Sequence, residues 1–398
     1  MTDHYQVLIV GGGTAGLTVA ARLANSGRVG SIGLVEPSDK HYYQPIWTLV
    51  GGGVFPKEVS ERNEADYIPH GVDWVQDRVE SFDPDNNSVT TAGSGDITYD
   101  YLVVAAGIQL DWGKIPGLKE SVGKPGTGVC SNYSYATVSS TWENIKALKG
   151  GKALFTQPST GIKCAGAPQK ICYLASHHWQ KSGLGSQIDV HFYSGTEGIF
   201  AVKIYADTLY QVIDRYGISA HFQHELTALD PDNRQATFKN LATGEEVTSD
   251  YDMIHVTPLQ SAPDFIKNSP LAADTGWVEV DQATTQHVRY DNVFALGDCS
   301  NLATSKTGAA IRKQAPTTTE NLLAKIEGKE LPGRYNGYTS CPLVTGYGSL
   351  VLAEFDYQKT PQESFPFDQS KERYSMYALK AYGLPRIYWN GMLQGRDF

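Results

Sequence analysis

The sequence predicts an α/β protein of tandem Rossmann-like domains, and three observations lead there. The chain has 398 residues, which at about 100–200 residues per domain is two or three domains. A buried-strand pattern, Val7-Leu8-Ile9-Val10, runs into Gly11-Gly12-Gly13-Thr14-Ala15-Gly16 and then a helical pattern from Leu17 to Asn25. A second strand–loop–helix starts at Lys152-Ala153-Leu154-Phe155-Thr156.

The first glycine run has the order that holds a dinucleotide. Gly11 permits the tight turn, Gly13 lets a pyrophosphate approach the backbone, and Gly16 lets helix and strand pack closely. Thr14 and Ala15 open the helix, whose N-terminus then faces the phosphates. The next strand, Ser31 to Val35, ends in Glu36, an acceptor for ribose hydroxyls. Alone the glycine pattern is nonspecific; between strand and helix, with the acid following, it reads as dinucleotide binding. Two later strands end in small residues: Tyr99 to Ala105-Ala106-Gly107, and Asn292 to Gly297-Asp298. Asp298 is placed to bind the ribityl hydroxyls of a flavin. Beyond it, Pro316 is expected in the first turn of a helix running to Ile326, its N-terminus toward the pyrimidine end of that flavin.

The middle of the chain departs from this pattern. After the strand 152–156 the loop reads Gln157-Pro158-Ser159-Thr160-Gly161-Ile162-Lys163-Cys164-Ala165-Gly166-Ala167-Pro168. Its glycines are not in phosphate-cradling order, so pyridine-nucleotide binding is not expected here. Pro168 opens a helix to about Gln180. Cys164 lies just before that N-terminus with Lys163 and Lys170 nearby, features that favour a thiolate; the alternative is a buried structural cysteine. Cys341 lies in Tyr338-Thr339-Ser340-Cys341-Pro342, between a loop and the strand Leu350 to Phe355. Cys172 and Cys299 read as packing residues, and Cys130 as either packing or a third redox cysteine. Adjacent His177 and His178 on a helix face different ways and make no metal site.

Residues 371–398 are locally basic and aromatic, with Gly383 and Pro385 dividing them into two short helices. They read as an in-plane membrane anchor, or as a hairpin packed on the core or on a second copy. Forty glycines, about one residue in ten against an average near 7%, suggest backbone packed closely against a cofactor. A net charge of -10 argues against nucleic-acid partners. Five cysteines at unrelated spacings suit neither a disulfide scaffold nor a zinc site. No basic n-region precedes the first strand and no apolar run is long enough to span, so no signal peptide or transmembrane helix is expected.

The dinucleotide segments resemble the FAD-binding signature of the two-dinucleotide-domain flavoproteins, which include the disulfide reductases, type II NADH dehydrogenases and sulfide:quinone oxidoreductases. Lys163 to Lys170, Tyr338 to Tyr347, Ala353 to Tyr357 and Phe365 to Arg373 resemble the mitochondrial-like branch of the sulfide:quinone oxidoreductases over nearly the whole chain. The fold thus implied is the FAD-dependent disulfide-reductase type with a C-terminal membrane-facing region. Its parts are an FAD domain at 1–112 and 276–330, a second Rossmann-like domain at 113–275, and a C-terminal region at 331–398.

The resemblance implies that Cys164 and Cys341 form the redox pair. Hydrosulfide attacks Cys341, the released Cys164 thiolate passes electrons to the flavin, and a quinone on the opposite flavin face takes them. A small acceptor such as glutathione, coenzyme A or sulfite removes the sulfur. It also implies FAD contacts at Gln44, Val79, Lys313 and Gln314. Lys170 and Lys380 are candidates for holding sulfur anions and Glu120 for proton transfer, or all three are surface charges. Tyr347 and Phe355 are candidates for stacking on quinone, or are core. The expected location is the cytoplasmic face of the inner membrane, peripheral or monotopic, with a homo-oligomer open. The rival readings are a type II NADH:quinone dehydrogenase and a non-catalytic flavoprotein.

Overall fold

A computed structural model describes residues 3–397. The first strand, Asp3–Val10, lies at the centre of a seven-stranded sheet, between Ile32–Val35 and Gly95–Val104, parallel to both. Val7, Leu8 and Ile9 are fully buried, as a strand covered on both faces requires. Val72–Val75 extends one side, the antiparallel pair Val79–Asp83 and Ser88–Thr91 the other. The late strand Val293–Ala295 pairs in parallel with Leu102–Val104, so distant chain segments close one sheet.

A second sheet contains Val129–Cys130, Met253–His255, Gly151–Gln157, Ile188–Ser194 and Ser219–Phe222 in that spatial order, all parallel. An antiparallel meander, His224–Asp230, Gln235–Asn240 and Glu246–Asp250, stands beside it. The short pair Gln109–Leu110 and Gln260–Ser261 carries the chain between the two sheets.

Two expectations about helices need correction. The helix after Gly297-Asp298 starts at Gly308, not Pro316, and runs to Ile326 with Pro316 inside it. Thr307 caps it by accepting the Ala310 N–H at 3.0 Å. Buried Ala310, Ile311, Ala315 and Leu322 hold it against the core. Thr317, Thr318 and Thr319 return their hydroxyls to the carbonyls four residues back, beside the bond that proline cannot make. The C-terminal segment is likewise not two separate helices. Tyr374–Ala378, a wider π-type turn Leu379–Gly383, and Leu384–Asn390 follow without a break. The wide turn absorbs the hydrogen bond that Pro385 lacks.

Most apolar side chains of that segment are already covered. Met376, Tyr377, Tyr388, Trp389, Met392 and Leu393 are buried in the core cluster that also holds Val7, Ile9 and Leu17. Trp389 packs on Tyr67 and His41, with the Arg62 guanidinium 5.2 Å above its ring. Tyr374 and Tyr382 are exposed. Trp389→Ala should therefore cost about 3–5 kcal/mol, read as a lower urea midpoint. An unchanged midpoint would remove Trp389 from the core. Among the described residues no helix is long and apolar enough to cross a membrane.

Candidate active site

The glycine run folds as its spacing requires. Gly11 has φ +103, and a Cβ there would meet the Ala105 carbonyl oxygen at 2.6 Å. A Cβ on Gly16 would fall 1.8 Å from the Gly11 oxygen. A Cβ on Gly13 would meet nothing within 4 Å, and the helix Thr14–Ser26 has no side-chain cap and no acid in its first turn. Its first N–H groups therefore face open space suited to a diphosphate. Glu36 accepts the N–H of Gly12 at 2.7 Å and of Ser38 at 2.8 Å, and burial holds its carboxyl above the ordinary range.

At the other end, Gln314 accepts the Gly297 N–H at 2.9 Å, and Lys306 donates to the Asp298 carbonyl at 2.7 Å. Burial raises the Asp298 carboxyl. Gly297, Asp298, Lys306, Thr307 and Gln314 line one cavity at the start of the helix Gly308–Ile326. Ala105, Ala106 and Gly107 follow directly on the strand Gly95–Val104 beside the glycine run. Val79 is buried at the start of the edge strand Val79–Asp83. Gln44 accepts the Lys163 ammonium at 2.8 Å. Lys313 is exposed near the Tyr338 ring. This string of open backbone, an acid for each sugar-like end and a helix start fits FAD. Glu36→Arg should weaken FAD binding roughly tenfold or more, read as the flavin-to-protein ratio after gel filtration; full occupancy would exclude Glu36 from the site.

Cys164 and Cys341 meet. Cys164 is held in the left-handed region at φ +53, with its N–H donated to the Lys306 carbonyl at 2.8 Å and its own carbonyl accepting the Ala167 N–H. Cys341 is not in a loop but within the strand Thr339–Gly346, paired with Ser349–Phe355. That hairpin crosses the start of the helix Ala167–Lys181 at Gly166. A Cβ there would fall 2.6 Å from the Cys341 sulfur and 2.5 Å from Leu343, so only glycine lets strand and helix approach. The Gly166 N–H donates to the Cys341 sulfur, and the Cys341 S–H donates to the Cys164 sulfur. The helix N-terminus that would hold a phosphate in a nucleotide-binding relative thus faces a pair of sulfurs.

Electrostatics divide the pair. Lys170, almost fully buried, donates from Nζ to the Cys164 sulfur at 3.0 Å. The Cys341 S–H, the Lys170 ammonium and the Lys380 ammonium hold the Cys164 thiol well below its usual range. The same neighbouring thiolate, with burial, pushes Cys341 up. Lys380 sits in the π-type turn and donates to the Pro45 carbonyl at 3.0 Å; burial pushes it down to about 8. Lys163 is half-buried, and desolvation pushes its ammonium down to about 8.

Other candidates lie elsewhere. Cys130 is fully buried, donates to the Ile254 carbonyl at 3.5 Å and is pushed up to about 12 by burial: a core thiol. Cys172 and Cys299 are fully buried, with thiols raised by burial. Glu120 is exposed on the short helix Leu118–Ser121, whose Leu118 packs with Leu226, Leu229 and Phe238, away from the sulfurs. Tyr347 and Phe355 stand at opposite ends of the cysteine hairpin, Tyr347 in its turn and Phe355 opposite Thr339. Seven residues of strand is roughly 23 Å, so they cannot flank one quinone ring. Phe355 is buried against Phe200, and the Tyr347 hydroxyl donates to the Gly52 carbonyl. Among the described residues no His/Cys/Asp/Glu cluster could hold a metal.

Sequence reasoning missed one buried chain. The Thr14 and Tyr388 hydroxyls are 2.8 Å apart, Tyr388 bonds His41 Nε2, and His41 Nδ1 bonds Glu64 at 3.0 Å. It ties the dinucleotide loop to the C-terminal helix. No local signal joins residues 374 positions apart.

A dinucleotide cradle on a mixed sheet, beside a thiolate–thiol pair at the edge of a parallel one, defines a flavin-dependent dithiol oxidoreductase. Residues 5–139 match the family described as pyridine nucleotide-disulphide oxidoreductase. The chain is 47% identical over 394 residues to the mouse protein named mitochondrial sulfide:quinone oxidoreductase, covering 99% of this chain and 87% of that one. It is 48% identical over 396 residues to the Dictyostelium discoideum protein of the same name, with the same coverage. The sulfide:quinone oxidoreductase structure from Aquifex aeolicus superposes with a TM-score of 0.84 at 18% identity, covering 99% of this chain and 92% of that one. The chain belongs to the sulfide:quinone oxidoreductase family.

Proposed function

We propose that the protein oxidises hydrogen sulfide and delivers two electrons to a quinone, with FAD as cofactor. The observation that carries this reading is the Cys164–Cys341 contact with Lys170 at 3.0 Å. In the oxidised pair, hydrosulfide attacks the Cys341 sulfur and breaks the S–S bond. The new S–S bond leaves a persulfide on Cys341, and Cys164 departs as a thiolate. A low thiol pKa makes Cys164 the better leaving group. Lys170 and Lys380 hold the sulfur anions in place. A small nucleophile such as glutathione, coenzyme A or sulfite then removes the outer sulfur. Rejoining the two thiols as a disulfide releases two electrons. Bound FAD supplies the two-electron carrier between the sulfur pair and the quinone.

The NADH dehydrogenase alternative lacks support, because Cys164 and Gly166 occupy the loop where a second phosphate cradle would be. The exposed Tyr374, Tyr382 and Arg386 suit a peripheral contact with a membrane surface, where a lipophilic quinone is reached. We assign that contact to the cytoplasmic face of an inner membrane, and the four chain segments 1–112, 113–275, 276–330 and 331–398 to the parts named above. Anaerobic mixing tests the function: sulfide should bleach the flavin within the mixing time, and NADH should not. Rapid bleaching by NADH with inertness to sulfide would overturn it.

A further inference from the structure

Three adjacent parallel strands end around the cysteine loop. Val129–Cys130 leads to Tyr133, Met253–His255 leads to Thr257 and Gln260, and Gly151–Gln157 leads to Lys163 and Cys164. Doubly wound sheets bind ligands at this carboxyl edge. Tyr133 is 3% exposed and packs with Ile162, Ala167 and Cys164. The Lys163 ammonium lies 6.0 Å over its ring. Gln260 uses its carbonyl to accept the Lys163 N–H at 3.0 Å, fixing the loop.

The other polar ends are unusual. The Gln260 amide nitrogen is buried with no hydrogen-bond partner among the described residues, and the Tyr133 and Thr257 hydroxyls, also buried and unpaired by strict geometry, have only each other near. Leaving such groups unpaired costs about 1–3 kcal/mol each, and here three of them border one loop. All three are uncharged donors, a set that suits an anion.

We propose that Tyr133, with Thr257 and Gln260 behind it, is a further hydrogen-bond donor of the sulfur site, its phenolic O–H holding the sulfur anion that forms on the Cys164–Cys341 pair. The assignment rests on the sulfide-oxidising reading above for its substrate, but not for its chemistry. Burial, then the negative charge at Cys164, keeps the phenol protonated, so it remains a donor and transfers no proton. A hydrogen bond to an ionised sulfur is stronger than one between neutral groups. The Lys170 and Lys380 ammonium groups supply charge from the cysteine helix and the C-terminal segment; Tyr133 adds direction from a third side.

The test is the pH dependence of Cys164 alkylation by iodoacetamide in the reduced holoenzyme, followed by mass spectrometry of the Cys164 peptide. Cys164 is the one cysteine of the five that is not buried. Tyr133→Phe removes only the O–H. Lys163, Lys170, Lys380, Asp298 and Cys341, the titratable groups facing the loop, stay in place. The inflection should move up by about one pH unit, FAD content should not change, and kcat/KM for sulfide should fall about tenfold. Thr257→Val should move the inflection the same way by less. A wild-type inflection in Tyr133→Phe overturns the proposal. If Tyr133→Phe does not fold, 3-fluorotyrosine at 133 keeps the ring and hydroxyl but strengthens the donor. It must lower the inflection, and an unmoved inflection overturns the proposal. The alkylation needs neither sulfide nor quinone, so inertness of the wild type to sulfide would count against the functional reading alone.

Discussion

Cys164→Ser and Cys341→Ser should each lower sulfide-dependent quinone reduction by roughly a thousandfold or more, with FAD still bound. A serine hydroxyl does not ionise near neutral pH and forms neither disulfide nor persulfide. Neither variant can form the disulfide that hydrosulfide attacks, so neither can hold a persulfide. Labelling with a persulfide-specific reagent after sulfide exposure should mark Cys341 in the wild type and nothing in either variant. Cys130→Ser, Cys172→Ser and Cys299→Ser should keep turnover within a fewfold, because their thiols are raised by burial and point into packing. Near-normal turnover in both Cys164→Ser and Cys341→Ser would sink the cysteine mechanism and leave the FAD fold untouched.

Lys170→Met should cost about a hundredfold at pH 7 and much less at pH 9. An ammonium within hydrogen-bond reach lowers a neighbouring acid by about 1–3 pH units, and Lys170 is 3.0 Å from the Cys164 sulfur. The sign follows from the direction of the shift. Cys164 in the wild type stays ionised as pH falls, since its thiol lies well below the usual range. In the variant the thiol returns toward that range, so the ionised fraction, and the rate, climb with pH through the alkaline region. Methionine preserves most of the buried volume. A variant with the wild-type pH profile would show that Lys170 does not set the thiolate.

The dinucleotide cradle was legible because its parts are local. Gly11, Gly13 and Gly16 lie close together in sequence; a Cβ on Gly11 or Gly16 would violate a backbone contact, and Gly13 borders open space. Cys164 was legible for the same reason, sitting next to the helix N-terminus that charges it. What the residues alone could not give was the partner: Cys341 reaches Cys164 only because a hairpin crosses at Gly166, and the pairing came from family resemblance. The helix around Pro316 was misjudged because proline's local cost is overridden by Ala310, Ile311 and Leu322 packing and by the threonine back-bonds. Tyr347 and Phe355 looked alike as nearby aromatics, yet strand geometry sends them to opposite ends. The Thr14–Tyr388–His41–Glu64 chain had no signature, since its members come from four separated segments.

The crossing at Gly166 also bears on how the chain can be made safely. Cys164 lies in the loop after the strand Gly151–Gln157, and Cys341 in a hairpin that follows the helix Gly308–Ile326. While the ribosome is still building the chain, the first sulfur is present for a long interval without the second. During that interval nothing can displace a sulfur from it, because there is no disulfide to attack. A proteolytic fragment ending before Thr339 is disarmed in the same way. Persulfide production therefore begins only when the late hairpin docks, which makes completion of synthesis the activating event.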